Sequence, residues 1–368
     1  MKFPLWPVLG LLCLVSPTSG RAALTTANWV PATSPLILVE GRCLAVTNTG
    51  SLKMAYPGVA LHLRVQGSDL ALRVTASSEQ VYFDVSVDGA APVRLHCQPG
   101  AGEYPVLTQG GTAIHDLLIT RRSESWEGTC EVLGFVPGAG TELLAPSPLP
   151  ARKLMFIGDS ITCGMMADYR PDDPLNGTCK NHENSAGAGQ TFGKILAKRL
   201  NAQCHLVSYG GRGVIRDWQG NTSINNAPVF YPRTLPDEAS PLWNPAEYQP
   251  DSILICLGTN DFNQGVPDEQ VFVKAYVDFV RRIRQDYPAA HIFIADSPML
   301  WDAPEKVPKR TVLHAYILET IEKLADAQVQ LAPIGHYQGM PNDGHPLAKD
   351  HVAIADELEP LLKRTLGW

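Results

Sequence analysis

The sequence predicts two domains: an all-β sandwich or jelly roll, followed by an α/β domain whose parallel sheet carries helices on both faces. Three observations lead there. From about Leu24 to Leu144, apolar and polar residues alternate in short runs broken by Gly and Pro, the period of half-buried strands. Beyond residue 153, continuous apolar runs of strand length alternate with stretches of helical period, as in a parallel sheet buried on both sides. Between the two lies Leu144-Ala-Pro-Ser-Pro-Leu-Pro150, whose three prolines stiffen a linker. The expected limits are a leader over 1–22, a β domain over 23–145, a linker over 146–152 and an α/β domain over 153–368.

The first 22 residues have the form of a secretory signal. Lys2 supplies the positive start, Leu5 to Val15 the apolar core, and Pro17 to Ala22 a small-residue cleavage region. That core is too short to span a bilayer, and no later stretch reaches the length needed. The expectation is a secreted or periplasmic protein with no membrane attachment once the signal is removed. An uncleaved, tethering signal is the alternative. A net charge of −7 over 368 residues lacks the basic footprint of a nucleic-acid partner.

In the β domain, Leu61, Leu63 and Val65 alternate with polar residues, as do Leu70, Leu72 and Val74. Val81, Phe83, Val85 and Val87 follow, ending at Asp88-Gly89, a hairpin signal. Further runs occur near Leu117–Thr120 and Cys130–Phe135. In the second domain, strands are expected at Leu154–Gly158, Cys204–Ser208, Ile253–Leu257, His291–Ala295 and Val329–Leu331. Asp268 is placed to cap a helix with apolar positions Phe272, Ala275, Phe279 and Ile283. A second helix carries Leu313, Ile317, Ile321 and Leu324, and a last one runs from about Lys349, with Pro360 expected to kink or restart it. Residues 210–250 are rich in Pro, Asn and aromatics without clear period, and loops of that length are usually functional.

The chemistry concentrates at Gly158-Asp159-Ser160. A buried strand that turns sharply at its carboxyl end presents Ser160 where open α/β sheets bind ligands. This is not the Gly-x-Ser-x-Gly elbow of many serine hydrolases. A serine hydroxyl needs a base within hydrogen-bond reach, and histidine serves near neutral pH. His345, in Asp343-Gly-His-Pro346, follows the last strand and precedes the last helix, on the same sheet edge. His351 is expected on the final helix as a packed residue, and His182 and His205 have no supporting context. The Gly-rich loop 208–214 lacks both the Walker Lys-Ser/Thr pair and a dinucleotide-type Gly-x-Gly-x-x-Gly.

A leading Cys13 would leave with the signal, so seven cysteines remain, an odd number in an oxidising compartment. Cys163 and Cys179 bracket a loop after Ser160, and a disulfide is expected there. A Cys97–Cys130 bridge would join two β-domain strands. Cys204 and Cys256 read as core residues. No cluster has zinc-ligand spacing, and no metal or cofactor is expected.

The Gly-Asp-Ser block with the distant Asp-Gly-His-Pro resembles the GDSL/SGNH hydrolase superfamily. Together with the β domain and the run Gly158-Asp-Ser-Ile-Thr-Cys-Gly164, the chain is most similar to carbohydrate esterase family 2, the acetyl xylan esterases. The resemblance implies that Ser160 is the nucleophile and His345 the base. It implies an oxyanion hole from the N–H of Ser160, the N–H of Gly211 in Ser208–Val214 (Gly213 being the runner-up) and the side chain of Asn260 in Gly258-Thr-Asn-Asp261. The usual superfamily spacing puts the orienting acid at 342, which is Asn342. Asp343, two residues before the base as in some family members, is the candidate acid, and a backbone carbonyl is the alternative. Asp159 and Asp261 are expected to brace loops. Sugars stack on aromatic rings, and Trp301, Trp218, Tyr231 and Trp243 are the candidate platforms. The implied activity is a secreted carbohydrate O-deacetylase acting on acetylated polysaccharides or oligosaccharides such as xylan or glucomannan. The competing possibilities are a lipase or arylesterase of the same superfamily and a carbohydrate-binding protein with a vestigial site.

Overall fold

The structure is a computed structural model that describes residues 29–170, 185–303 and 306–368. The expected leader over 1–22 lies outside the described residues.

The N-terminal half is a β-sandwich. Its strands are β1 (Val30–Pro31), β2 (Ile37–Glu40), β3 (Leu44–Val46), β4 (Ser51–Met54), β5 (Ala60–Gln66) and β6 (Leu70–Ala76), then β7 (Val81–Val87), β8 (Val93–Cys97), β9 (Gly100–Leu107), β10 (Ile114–Arg121), β11 (Cys130–Pro137) and β12 (Glu142–Leu144). One antiparallel sheet runs β3-β4-β11-β6-β9 with β1 on β11; the other runs β12-β5-β10-β7-β8 with β2 on β5. The alternation does the work. Leu61, Leu63 and Val65 of one sheet and Leu72 and Val74 of the other are buried in a common core, as facing sheets require.

The C-terminal half opens with β13 (Arg152–Gly158) and the short turn α1 (Ser160–Cys163), then α2 (Phe192–Arg199), β14 (Ala202–Ser208), α3 (Ala227–Phe230), β15 (Ser252–Cys256) and α4 (Glu269–Asp286). It closes with β16 (His291–Ala295), α5 (Lys309–Leu324), β17 (Val329–Ala332) and α6 (Ala348–Leu366). The five strands are parallel in the order β14-β13-β15-β16-β17. Their side chains divide between two cores, as a two-residue period demands. Met155, Ile157, Ile253 and Ile255 pack with α4 and α5, whereas Leu154, Phe156, Leu254 and Cys256 pack with α2 and α6. Asp268 caps α4 by accepting from the Val271 N–H at 3.0 Å. No new helix starts at Pro360: α6 runs from Ala348 to Leu366 with Pro360 inside it.

The chain leaves β13 for β14 on one side and then crosses to β15 on the other. The carboxyl end of β13 is therefore a switch point, where such sheets open a crevice. The two halves are joined by buried polar contacts. Glu40 of β2 accepts from Lys194 Nζ at 2.7 Å and from the Cys204 N–H at 3.0 Å. Tyr56 Oη donates to the Phe230 carbonyl at 2.7 Å. Arg122 pairs with Asp84 at 2.6 Å within the sandwich and with Asp168 at 2.9 Å across the junction.

Candidate active site

Ser160 begins α1 directly after β13, and a side chain at Gly158 could not fit, since an added Cβ would lie 2.0 Å from Thr162 Oγ1. Asp159 caps the turn, its Oδ1 accepting from the Ile161 N–H at 3.0 Å. As the first residue of the turn, Ser160 keeps an N–H without an intrahelical acceptor. Its side chain is 7% exposed, and Oγ lies 2.7 Å from His345 Nε2.

The loop before α6 is wound to deliver that histidine. The Met340 carbonyl accepts from the N–H groups of Asp343 (3.1 Å) and Gly344 (2.7 Å), and the Met340 N–H donates to the His345 carbonyl at 2.8 Å. Asn342 closes the turn at φ +66°, a left-handed conformation that asparagine tolerates better than most residues. The position that superfamily spacing would give to an acid is thus a turn residue. Asp343 folds back: Oδ1 takes a short hydrogen bond at His345 Nδ1 and also accepts the His345 backbone N–H at 3.2 Å. Ser160, His345 and Asp343 form a continuous chain of hydrogen bonds. His351 stands apart from it. Its Nδ1 accepts the Phe192 N–H at 3.2 Å, and burial pushes its pKa down to about 3.

Gly211 and Asn260 come from the loops after the two strands flanking β13. Gly211 adopts φ +75°, which an L side chain would resist. Gly213 is held by its neighbour instead, since a Cβ there would meet Asp261 Oδ2 at 2.2 Å. Asp261 accepts the N–H groups of Val214, Ile215 and Arg216 at 2.8–3.2 Å, bracing the glycine loop. Asn260 Nδ2 lies 3.2 Å from Asp159 Oδ2 and 3.0 Å from the Arg212 carbonyl. Burial pushes the Asp159 pKa up to about 7. An oxyanion would draw the Asn260 amide from one of these acceptors. Asn260→Ala should lower kcat by about a hundredfold, the scale of removing one such donor. An unchanged kcat with a raised KM would make Asn260 a binding residue instead.

The four candidate platforms divide. Trp218 is 51% exposed and its ring edge covers Gly211, Cδ1 lying 2.9 Å from where a Cβ would stand. Trp301 is 57% exposed beyond β16, stacked on His336 at a centroid distance of 6.5 Å. The Trp218 carbonyl accepts from Asn263 Nδ2 at 2.8 Å and from Gln264 Nε2 at 3.0 Å, in the loop after β15. Tyr231 and Trp243 are corrections. Tyr231 is 1% exposed, its hydroxyl donating to Asp286 at 3.1 Å. Both rings box the guanidinium of buried Arg42, at 5.3 and 5.1 Å, where Arg42 ties the β-sandwich to the Tyr231 carbonyl. They solvate a buried cation at the domain junction.

One cysteine pairing is corrected: Cys97 and Cys130 are free thiols, each enclosed in the sandwich core. These thiols serve as small apolar residues. Cys163 is buried beneath the site, donating to Ser208 Oγ at 3.3 Å; its expected partner Cys179, and with it that pairing, lies outside the described residues.

One contribution was missed. The β-sandwich segment Ser123–Glu127 reaches under the glycine loop, with Ser125 Oγ donating to the Ser208 carbonyl at 2.7 Å. The available signal was the charge density of Arg121-Arg-Ser-Glu-Ser-Trp-Glu127 after an apolar strand.

Two family models match the chain: Carbohydrate esterase 2 N-terminal over residues 39–148, and GDSL-like Lipase/Acylhydrolase family over residues 156–353. An acetylxylan esterase / glucomannan deacetylase of Cellvibrio japonicus is 34% identical over 369 residues, covering 100% of this chain and 99% of that protein. The structure of a family two carbohydrate esterase from Cellvibrio japonicus matches with a TM-score of 0.84 at 32% identity, covering 93% of this chain and 98% of the other. A family two carbohydrate esterase from Clostridium thermocellum, solved in complex with cellohexaose, matches at 0.81 and 27%, covering 90% and 99%. The likeness spans both domains, and the chain belongs to carbohydrate esterase family 2, a family of GDSL/SGNH serine hydrolases.

Proposed function

We propose that this protein removes O-acetyl groups from hemicellulose such as xylan or glucomannan, outside the cytoplasm. The observation that carries the reading is the hydrogen-bonded line Ser160 Oγ, His345, Asp343 at the switch point of the sheet. His345 Nε2 takes the hydroxyl proton as Ser160 Oγ attacks the acetyl carbonyl. The developing oxyanion is met by the N–H groups of Ser160 and Gly211 and the amide of Asn260. Collapse breaks the bond to the sugar oxygen, which takes the proton from His345 and leaves as the hydroxyl, and an acetyl-enzyme remains. A water molecule, deprotonated by His345, then releases acetate and restores Ser160. Asp343 holds the ring with Nε2 toward the serine and offsets the imidazolium charge. The exposed rings of Trp218 and Trp301 suit the apolar faces of a sugar chain.

The substrate named for the Cellvibrio relative supports the choice of acetylated hemicellulose. The form of residues 1–22 supports export. Acetate release should be measured across acetylated xylan, acetylated glucomannan and acetylated pectin, alongside p-nitrophenyl esters of increasing chain length. The reading expects release from at least one hemicellulose and a preference for acetyl over long acyl groups. Activity confined to long-chain esters would make the protein a lipase-like member, and saturable oligosaccharide binding without hydrolysis would make it a binding protein.

A further inference from the structure

The β-sandwich touches the glycine loop of the α/β domain. Trp126 belongs to the β-sandwich segment that enters beneath the glycine loop, yet it is 40% exposed. Its position is fixed from below. The indole Nε1 donates to Glu124 Oε2 at 3.1 Å, and Glu124 is fully buried. Both groups press on Gly210: a Cβ there would lie 2.0 Å from Glu124 Oε2 and 3.1 Å from Trp126 Nε1. The next residue, Gly211, is the oxyanion candidate, with Trp218 against it. Two exposed indoles therefore flank adjacent residues of one loop, one from each domain. Burial together with Glu127 pushes the Glu124 pKa well above the carboxylate range. An exposed aromatic ring whose orientation is locked by a buried partner is organised for binding before any ligand arrives.

We propose that Trp126 is a sugar-stacking wall of the catalytic cleft supplied by the β-sandwich domain, with Glu124 as the positioning residue that holds its ring. The ligand class is a pyranose residue of the acetylated oligosaccharide, packed by its apolar face next to the unit that carries the ester. The proposal rests on the carbohydrate-ester reading above.

The test compares kcat/KM on acetylated xylo- or gluco-oligosaccharides with kcat/KM on p-nitrophenyl acetate, taken as a ratio within each protein preparation. A loss of folded enzyme lowers both values alike and cancels. Trp126→Ala should lower the ratio about tenfold, the scale of one aromatic stacking contact, mainly through KM for the oligosaccharide. Trp126→Phe, which keeps an aromatic face, should recover most of it. Glu124→Leu, which removes the indole's acceptor, should lower the ratio in the same direction. If the wild type releases acetate from the oligosaccharides and Trp126→Ala keeps the wild-type ratio, the subsite is overturned while the substrate reading stands. If the wild type hydrolyses p-nitrophenyl acetate but none of the oligosaccharides, the substrate reading falls and the subsite with it.

Discussion

Ser160→Ala should abolish acetate release while leaving the protein folded. The hydroxyl is the atom that would carry the acetyl group, so its loss removes the covalent route. In serine hydrolases of the subtilisin type, losing the nucleophile costs about six orders of magnitude in kcat. The fold should barely register the change. The side chain makes one hydrogen bond, to His345 Nε2, and such a bond contributes about 1 kcal/mol net. Alanine is also a good helix former at the start of α1. Acetate release at saturating substrate, with the thermal midpoint measured in parallel, tests both halves. A mutant with wild-type turnover would remove Ser160 from the chemistry. A mutant that lost its structure would show the Oγ contact to be holding the His345 loop in place.

How far the sequence alone reaches depends on whether a signal is local or requires a partner. The strand before Ser160 was legible because four consecutive apolar residues, Leu154 to Ile157, can only be satisfied by burial on both faces, which is where they lie. His345 was legible because topology brings the ends of parallel strands to one edge, whatever their distance in sequence. The bend at Asn342 explains why the acid stands one residue later than superfamily spacing suggests, and a turn of that kind is not visible in composition. Tyr231 and Trp243 were misread for a general reason. Trp243 and Trp218 look alike in sequence, and only the presence of Arg42 two hundred residues away separates a ring that encloses a buried cation from one left open to solvent. The Cys97–Cys130 bridge failed similarly: both residues lie on β-domain strands, but they are enclosed in the core as free thiols. Trp126 escaped because nothing local distinguishes a residue at a domain junction from one on a free loop. Contacts between domains are the least local information a fold contains.

Asp343→Asn is the second large effect, and it separates a triad from a dyad. In the structure one carboxylate oxygen engages both His345 Nδ1 and the His345 backbone N–H. An ionised carboxylate can only accept, so Nδ1 must carry the proton and Nε2 is left free to accept from Ser160 Oγ. Asparagine has nearly the same shape, but its amide can turn its NH2 toward the ring. Nδ1 would then accept, the proton would sit on Nε2, and Ser160 would face a donor instead of a base. The mutant would also lose the negative charge that offsets the imidazolium as the proton moves. In the chymotrypsin-type example the equivalent change costs about four orders of magnitude in kcat, and a loss of three to four orders is the expected result here. The control has to respect the turn. Asn342 sits at φ +66°, where alanine would cost about 1 kcal/mol and glycine very little. Asn342→Gly removes the only other side chain at the customary acid position without straining the loop, so it should leave kcat within a few-fold of wild type. If Asp343→Asn behaves like that control in folded protein, the carboxylate is dispensable, His345 is held by its loop alone, and the enzyme works as a Ser160–His345 dyad.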